Sequence, residues 1–214
     1  MEKIKTNYIF LDESGKPEVY SAKGINLVKE GFASKFLVLA AVRCDDQLLL
    51  QQKITDFKAS LLKNESLTEI FSPAYALDSF HAQTDYPEVK EKFYNFINTL
   101  DIKIDVIVVD KMKCFEPLQR SPGKMYGVMA GQLLKNICHQ SEKTEVIFSR
   151  KDSKLKLRQE LECKVEEIRL DYIAYAVFQV FENNNRKWYE IVKNKIGKIQ
   201  DICNKKYFTQ SNPL

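Results

Sequence analysis

The hydrophobic pattern of the chain places short apolar runs between longer stretches in which apolar residues recur every three to four positions. Three short runs, residues 8–11, 35–43 and 102–109, have the length and the β-branched or large apolar composition of buried strands. A fourth strand is expected at residues 145–149. The first two runs are joined by a turn-rich segment, so we expect them to pair as antiparallel neighbours.

The longer stretches have the spacing of amphipathic helices. Asp45 or Asp46 is available as the N-cap of the first helix, and Pro87 is placed to open the second. From residue 155 to Gly197 the chain contains neither glycine nor proline, which indicates two or three further helical segments. The predicted helices cover residues 45–62, 87–100 and 125–138, and then the region from 155 onward.

The order of these elements favours an α/β fold. Strands and helices alternate along the chain, which predicts a mixed central sheet flanked by helices and a helical C-terminal region. With 214 residues the chain is long enough for one hydrophobic core, so we expect a single domain over residues 1–214. Three asparagines at residues 183–185 mark a break, after which residues 186–214 are expected to form a basic helical extension.

Composition restricts the class of protein. The five cysteines are odd in number and widely spaced, with no pair at the spacing of a zinc site, so reduced thiols are expected. The N-terminus lacks the apolar core of a signal peptide, and no stretch reaches the length of a membrane span. These features predict a cytoplasmic protein without a membrane partner.

Basic residues cluster in three stretches, although the net charge is only +4. Such clusters are usually the solvated faces of helices and loops, and binding of phosphate groups is the less frequent alternative. In the second stretch we select Arg150, Lys151 and Lys154 as candidate phosphate contacts of a nucleic-acid substrate.

Acidic residues follow the apolar runs. The first run stops on Asp12 and Glu13, and the third on Asp110. The pair at residues 12 and 13 is either a polar turn or part of a site. Asp171 lies on an apolar helix face, where an unpaired charge is costly, so it is expected to cap a helix, bind a metal or pair with an arginine or lysine.

Clustered carboxylates without histidine or cysteine partners suit a hard cation. We therefore predict Mg²⁺, with Mn²⁺ as an alternative, held by Asp12, Asp110 and Asp171 and assisted by Glu13. Side chains alternate along a strand, so the first two acids face opposite sides unless the strand ends or bulges there, and Asp12 is taken as the primary ligand. His81 is either a general base that orients water or substrate, or a structural residue.

Several segments together resemble the family called domain of unknown function 3800. They are FLDESG at residues 10–15, SFHA at 79–82, VIVVDK at 106–111 and the run from Asp171 that begins DYIAYAVFQVFENNNRKWYEIVKNKI. The resemblance implies a ribonuclease H-like three-layer α/β domain, in which acids on the first strand, the fourth strand and a late helix hold Mg²⁺. Asp12, Asp110 and Asp171 match those places. Ile168 stands where that family usually has a glutamine, and the stretch before Asp171 is shorter.

The predicted function is a metal-dependent nuclease or phosphodiesterase acting on nucleic acid. Two alternatives from other classes stay open. One is a non-catalytic module that binds nucleic acid or a nucleotide, in a mobile-element or defence setting. The other is a protein-interaction subunit, for which the aromatic helix at residues 172–181 would be the partner face, although such a stripe is more often core.

Overall fold

A six-stranded mixed sheet forms the centre of the computed structural model, which describes residues 6–67, 71, 80–138, 143–148 and 171–214. The strand order across the sheet is β4-β1-β2-β3-β5-β6. β1 is antiparallel to β2 and β2 to β3, whereas β4 is parallel to β1 and β5 is parallel to β3. The strands are β1 (Thr6–Ser14), β2 (Phe36–Cys44), β3 (Lys103–Asp110), β4 (Lys143–Phe148), β5 (Ile196–Asp201) and β6 (Lys206–Thr209).

The helices of the described residues begin largely where the sequence signals place them. Asp46 caps the first helix, and its side chain accepts a 2.9 Å hydrogen bond from the backbone N–H of Leu49. Pro87 is the first residue of the second helix, as predicted. The helices are α1 (Gln47–Leu62), α2 (Pro87–Thr99), α3 (Glu116–Gln119), α4 (Pro122–Lys135), α5 (Asp171–Asn183) and α6 (Lys187–Val192).

Each face of the sheet carries its own hydrophobic core. One core joins even-numbered β1 and β3 residues, such as Phe10 and Val108, to α1, α2, α5 and α6. The other joins odd-numbered residues, such as Leu11 and Val109, to α4. Successive side chains of a strand point to opposite faces of the sheet, and here both faces are covered, so alternate residues enter the two cores. The predicted α/β architecture, a mixed sheet flanked by helices, is confirmed.

The C-terminal region corrects one prediction. Residues 186–214 are not a helical extension, because after the short helix α6 the chain forms β5 and β6. β5 pairs with β3, and a tight turn containing Lys205 at a positive φ of 53° returns the chain as β6. The central sheet therefore incorporates this segment. No described helix is long and apolar enough to cross a membrane.

Candidate active site

β1 continues through the two acids at its end. The register with β2 is regular, with Asp12 opposite Ala40 and Glu13 opposite Leu39, so no bulge interrupts the alternation. Asp12 is buried and points to the same face as Phe10, the face on which α5 packs. Glu13 is half-buried and points to the opposite face. The two carboxylates therefore do not act together on one ion.

Gly15, the last residue of the FLDESG run, allows α5 to pack closely on this edge of the sheet. Its φ is +97°, in the left-handed region that favours glycine. A Cβ atom here would lie 2.6 Å from the carbonyl oxygen of Phe36 and 3.0 Å from Cε2 of Phe178 on α5. The conformation and the close contacts thus both require glycine.

Asp110 has a structural role at the end of β3. One carboxylate oxygen accepts a 3.0 Å hydrogen bond from the backbone N–H of Met112 and caps the 3₁₀ turn that follows. The other lies 3.4 Å from Nζ of Lys35. Both carboxylate oxygens therefore already have partners within the protein.

The sheet register also separates Asp110 from Asp12. Asp12 lies beside Ala40 on one edge of β2, and Asp110 lies beside Phe36 on the other. Four residues of strand correspond to about 13 Å and two strand spacings to about 10 Å, so the two Cα atoms are about 16 Å apart. Oxygens sharing one Mg²⁺ are at most about 4 Å apart. The predicted grouping of these two acids is wrong, and Asp110 lies on the third strand and not on the fourth.

Asp171 binds the loop that precedes α2. Its Oδ2 atom accepts a 2.8 Å hydrogen bond from the backbone N–H of Ala82 and lies 3.0 Å from Nδ1 of His81. Among the residues that the structure describes, the carboxylate is therefore paired with a histidine and not with the lysine or arginine that the sequence left open. Its side chain is only 9% exposed, whereas that of His81 is 30% exposed. The structure thus brings together two of the predicted site residues.

Two contacts of Nδ1 bear on which nitrogen of His81 carries the proton. Its Nδ1 atom is 3.0 Å from Asp171 Oδ2 and 3.3 Å from the backbone nitrogen of Gln83, and it cannot donate to one and accept from the other in a single state. We assign the proton to Nδ1, because the contact with the carboxylate is shorter and charge-assisted. Nε2 then carries a lone pair and has no hydrogen-bond partner among the described residues.

Asp85 and Tyr172 complete the site, and the sequence analysis missed both. The carboxylate of Asp85 accepts hydrogen bonds from the backbone N–H of His81, at 3.0 Å, and from the hydroxyl of Tyr172. Burial, with Asp85 and Asp171 nearby, holds the pKa of Tyr172 well above its usual value, so its hydroxyl stays protonated and donates. The sequence signal that could have indicated Asp85 is its position four residues after His81, just before Pro87.

Lys111 and Lys90 are buried, so not every basic residue of the chain faces solvent. Lys111 is fully buried, and its Nζ donates to the carbonyls of Lys16 and Glu18, which follow the FLDESG run in the chain. Burial lowers the pKa of Lys111 to about 8. Burial also lowers the pKa of Lys90, which lies 5.0 Å from the ring centre of Tyr175. Lys111 therefore anchors the loop after β1.

The candidate phosphate contacts Arg150, Lys151 and Lys154 lie outside the described residues, as does Ile168. Among the described residues, no group of three or more histidine, cysteine, aspartate or glutamate side chains converges as a metal site. In the candidate site itself, one buried polar atom lacks a partner: Oδ1 of Asp171 receives no hydrogen bond from the described part of the chain. The site thus contains a buried carboxylate oxygen that no described donor satisfies.

Comparison with known proteins gives no match. No protein-family model matches the chain, and neither a curated protein nor a solved structure matches it. The family resemblance stated above therefore stays a prediction, and the function has to be argued from the geometry of the site.

Proposed function

We propose that this protein is a divalent-metal-dependent hydrolase of phosphodiester bonds in nucleic acid, with its active site around Asp171, His81 and Asp12. In this proposal Asp171 and Asp12 hold the ion, and His81 transfers the proton. Asp85 and Tyr172 position the loop and the helix that present these groups.

The unpartnered Oδ1 atom of Asp171 carries the proposal. Leaving a buried carboxylate oxygen without a donor costs several kcal/mol, and a bound cation would remove that cost. Hard divalent ions prefer oxygen ligands, and Mg²⁺ is commonly held by one or two protein carboxylates while water and substrate phosphate complete its shell. Asp171 and Asp12 therefore fit such an ion, because the protein does not have to supply all of its ligands.

Asp12 supports the same assignment by its place in the fold. It is buried on the face of β1 that α5 covers, and α5 begins, in the described part of the chain, at Asp171. A metal ion at Asp171 would supply a Lewis acid that polarises the phosphoryl oxygen and lowers the pKa of bound water. Asp110 is not part of the proposed site, because the sheet register places it on the other side of β2 from Asp12.

His81 would act on the attacking water. In this proposal the Nδ1–H group of His81 donates a hydrogen bond to Asp171, which orients the ring and leaves Nε2 as an accessible base. Nε2 takes a proton from water as its oxygen attacks phosphorus, and the bond from phosphorus to the leaving oxygen breaks. The imidazolium that forms is stabilised by the adjacent carboxylate.

We propose further that the fold is ribonuclease H-like, as the sequence resemblance implies. Helices cover both faces of the mixed sheet, and acids lie on its first strand and on a late helix, which is consistent with that class. The fourth strand is parallel to β1 and adjacent to it. The acid that the resemblance implies for that strand is not Asp110.

Cleavage of labelled oligonucleotides tests the proposal. Single-stranded and duplex DNA and RNA are incubated with Mg²⁺, with Mn²⁺ or with a chelator, and the products are separated on a denaturing gel. We expect metal-dependent cleavage by the wild type and a loss of at least about 100-fold in Asp171→Asn and in Asp12→Asn. Asp56→Asn, at an exposed position of α1, is the matched control and keeps full activity.

Two outcomes would contradict the assignment. Full cleavage by folded Asp171→Asn would show that this carboxylate is dispensable. Binding of nucleic acid that weakens with salt, without cleavage under any metal condition, would favour the non-catalytic binding module instead. The apolar residues of the aromatic helix at residues 172–181 are buried in the core or pack against it, which supports the hydrolase proposal over the interaction-subunit alternative.

A further inference from the structure

Two cysteines from distant parts of the chain meet beneath the end of β3. Cys114 follows the 3₁₀ turn after β3, and Cys203 lies in the turn between β5 and β6. Both thiols donate to the same acceptor, the backbone carbonyl of Asp110, with sulfur-to-oxygen distances of 3.6 and 3.4 Å. Both side chains are half-buried and both thiols are free.

No sequence pattern predicts this pair. The two residues are far apart in the chain, and the C-terminal segment was expected to be helical. They become neighbours because β5 pairs with β3 and the following turn carries Cys203 back over the end of β3. The β3–β5 pairing is therefore what assembles the thiol pair.

We propose that Cys114 and Cys203 form a reversible disulfide when the protein meets a hydroperoxide. The Cys203 thiolate attacks the peroxide, the O–O bond breaks, and a sulfenic acid and hydroxide form. The Cys114 thiol then attacks that sulfur, and water leaves as the S–S bond forms. The two thiols lose two electrons, and hydrogen peroxide is reduced to the level of two waters.

The environment of the pair assigns these roles. The neighbouring thiol of Cys114 lowers the pKa of Cys203 to about 7, although burial opposes this, and the proximity of Cys203 in turn raises the pKa of Cys114. Cys203 is therefore the better attacking group at neutral pH and Cys114 the resolving one. This is independent of the proposed hydrolase activity, since neither cysteine belongs to that site.

Mass spectrometry of the full chain tests the disulfide. The protein is treated with hydrogen peroxide, the remaining thiols are alkylated, and the intact mass and peptide map are recorded before and after dithiothreitol. We expect a loss of about 2 Da, a cross-linked peptide joining residues 114 and 203, and full reversal by the reductant. Closing so long a loop should also raise the Tm by roughly 5–10 °C.

Variants separate this disulfide from other oxidation. Cys114→Ser and Cys203→Ser should lose the cross-link, whereas Cys138→Ser, which alters another half-buried free thiol, should keep it. Sulfinic acid on Cys203 without a cross-link, or a cross-link through another cysteine, would overturn the proposal. The peptide map of the wild type decides the matter even if a variant fails to fold.

Discussion

At the scale of single residues, Gly15 sets how closely α5 approaches the sheet. Two independent constraints act on it, a left-handed backbone and a carbonyl oxygen 2.6 Å from where a Cβ would stand. The sequence showed a glycine at the end of a strand, which is common in turns. The left-handed backbone and the close approach of Phe36 and Phe178 explain why a larger residue is excluded, and the sequence shows neither.

Gly15→Ala should lower the free energy of unfolding by about 2–4 kcal/mol, because the new methyl group is strained and meets backbone. Gly131→Ala is the matched control. Gly131 lies in α4 with open space where a Cβ atom would stand, so alanine there should raise stability by about 0.5–1 kcal/mol. Urea denaturation of both variants measures this, and equal effects would contradict the account.

The lowered pKa of Lys111 predicts how the free energy of unfolding depends on pH. Its pKa falls from 10.5 to about 8 on folding, so above pH 8 the unfolded chain holds a proton that the folded protein has lost. Its contribution to the free energy of unfolding should therefore rise with pH, by about 2 kcal/mol between pH 8 and pH 10. The difference in stability between wild type and Lys111→Met isolates this contribution, and a difference that is flat or falls with pH would refute it.

At the scale of elements, α5 is held at both ends by carboxylates. Near its C-terminus, Glu182 accepts two 2.8 Å hydrogen bonds from the backbone N–H groups of Lys35 and Phe36, at the start of β2. At its first described residue, Asp171 binds the loop before α2. The helix is thus positioned relative to both β2 and the candidate site.

Glu182→Ala should cost about 1–3 kcal/mol, because it removes two charge-assisted hydrogen bonds across elements. Glu190→Ala removes only exposed ion pairs on α6 and should cost less than about 1 kcal/mol. Thermal or urea unfolding compares the two variants. A Glu182 variant as stable as the Glu190 variant would mean that the carboxylate does not anchor α5.

The same elements show what the sequence could and could not predict. α1 and α2 were predicted closely because local signals, the Asp46 cap and Pro87, define them. β5 and β6 were missed because β5 is short and its partner β3 lies about 90 residues earlier, so no local periodicity marks it. The helical pattern predicted from residue 155 onward was extended into residues that form β5 and β6.

At the scale of the whole molecule, the fold decides which acids can meet. The sequence suggested Asp12, Asp171 and His81 as candidates, and the structure pairs the last two. Asp110 was grouped with them because it also ends an apolar strand, but sheet order and register cannot be read from one strand at a time. Asp85 and Tyr172 were missed because their contact joins a loop to a helix far along the chain.

Binding of Mn²⁺ tests the central claim most directly, because the claim assigns the ion to Asp171 and excludes Asp110. Titration calorimetry of the wild type, Asp171→Asn and Asp110→Asn measures it without any substrate. We predict that the wild type binds the ion, that Asp171→Asn weakens binding at least about tenfold, and that Asp110→Asn binds as the wild type does while losing stability. Unchanged binding in Asp171→Asn, or loss of binding only in Asp110→Asn, would contradict the account.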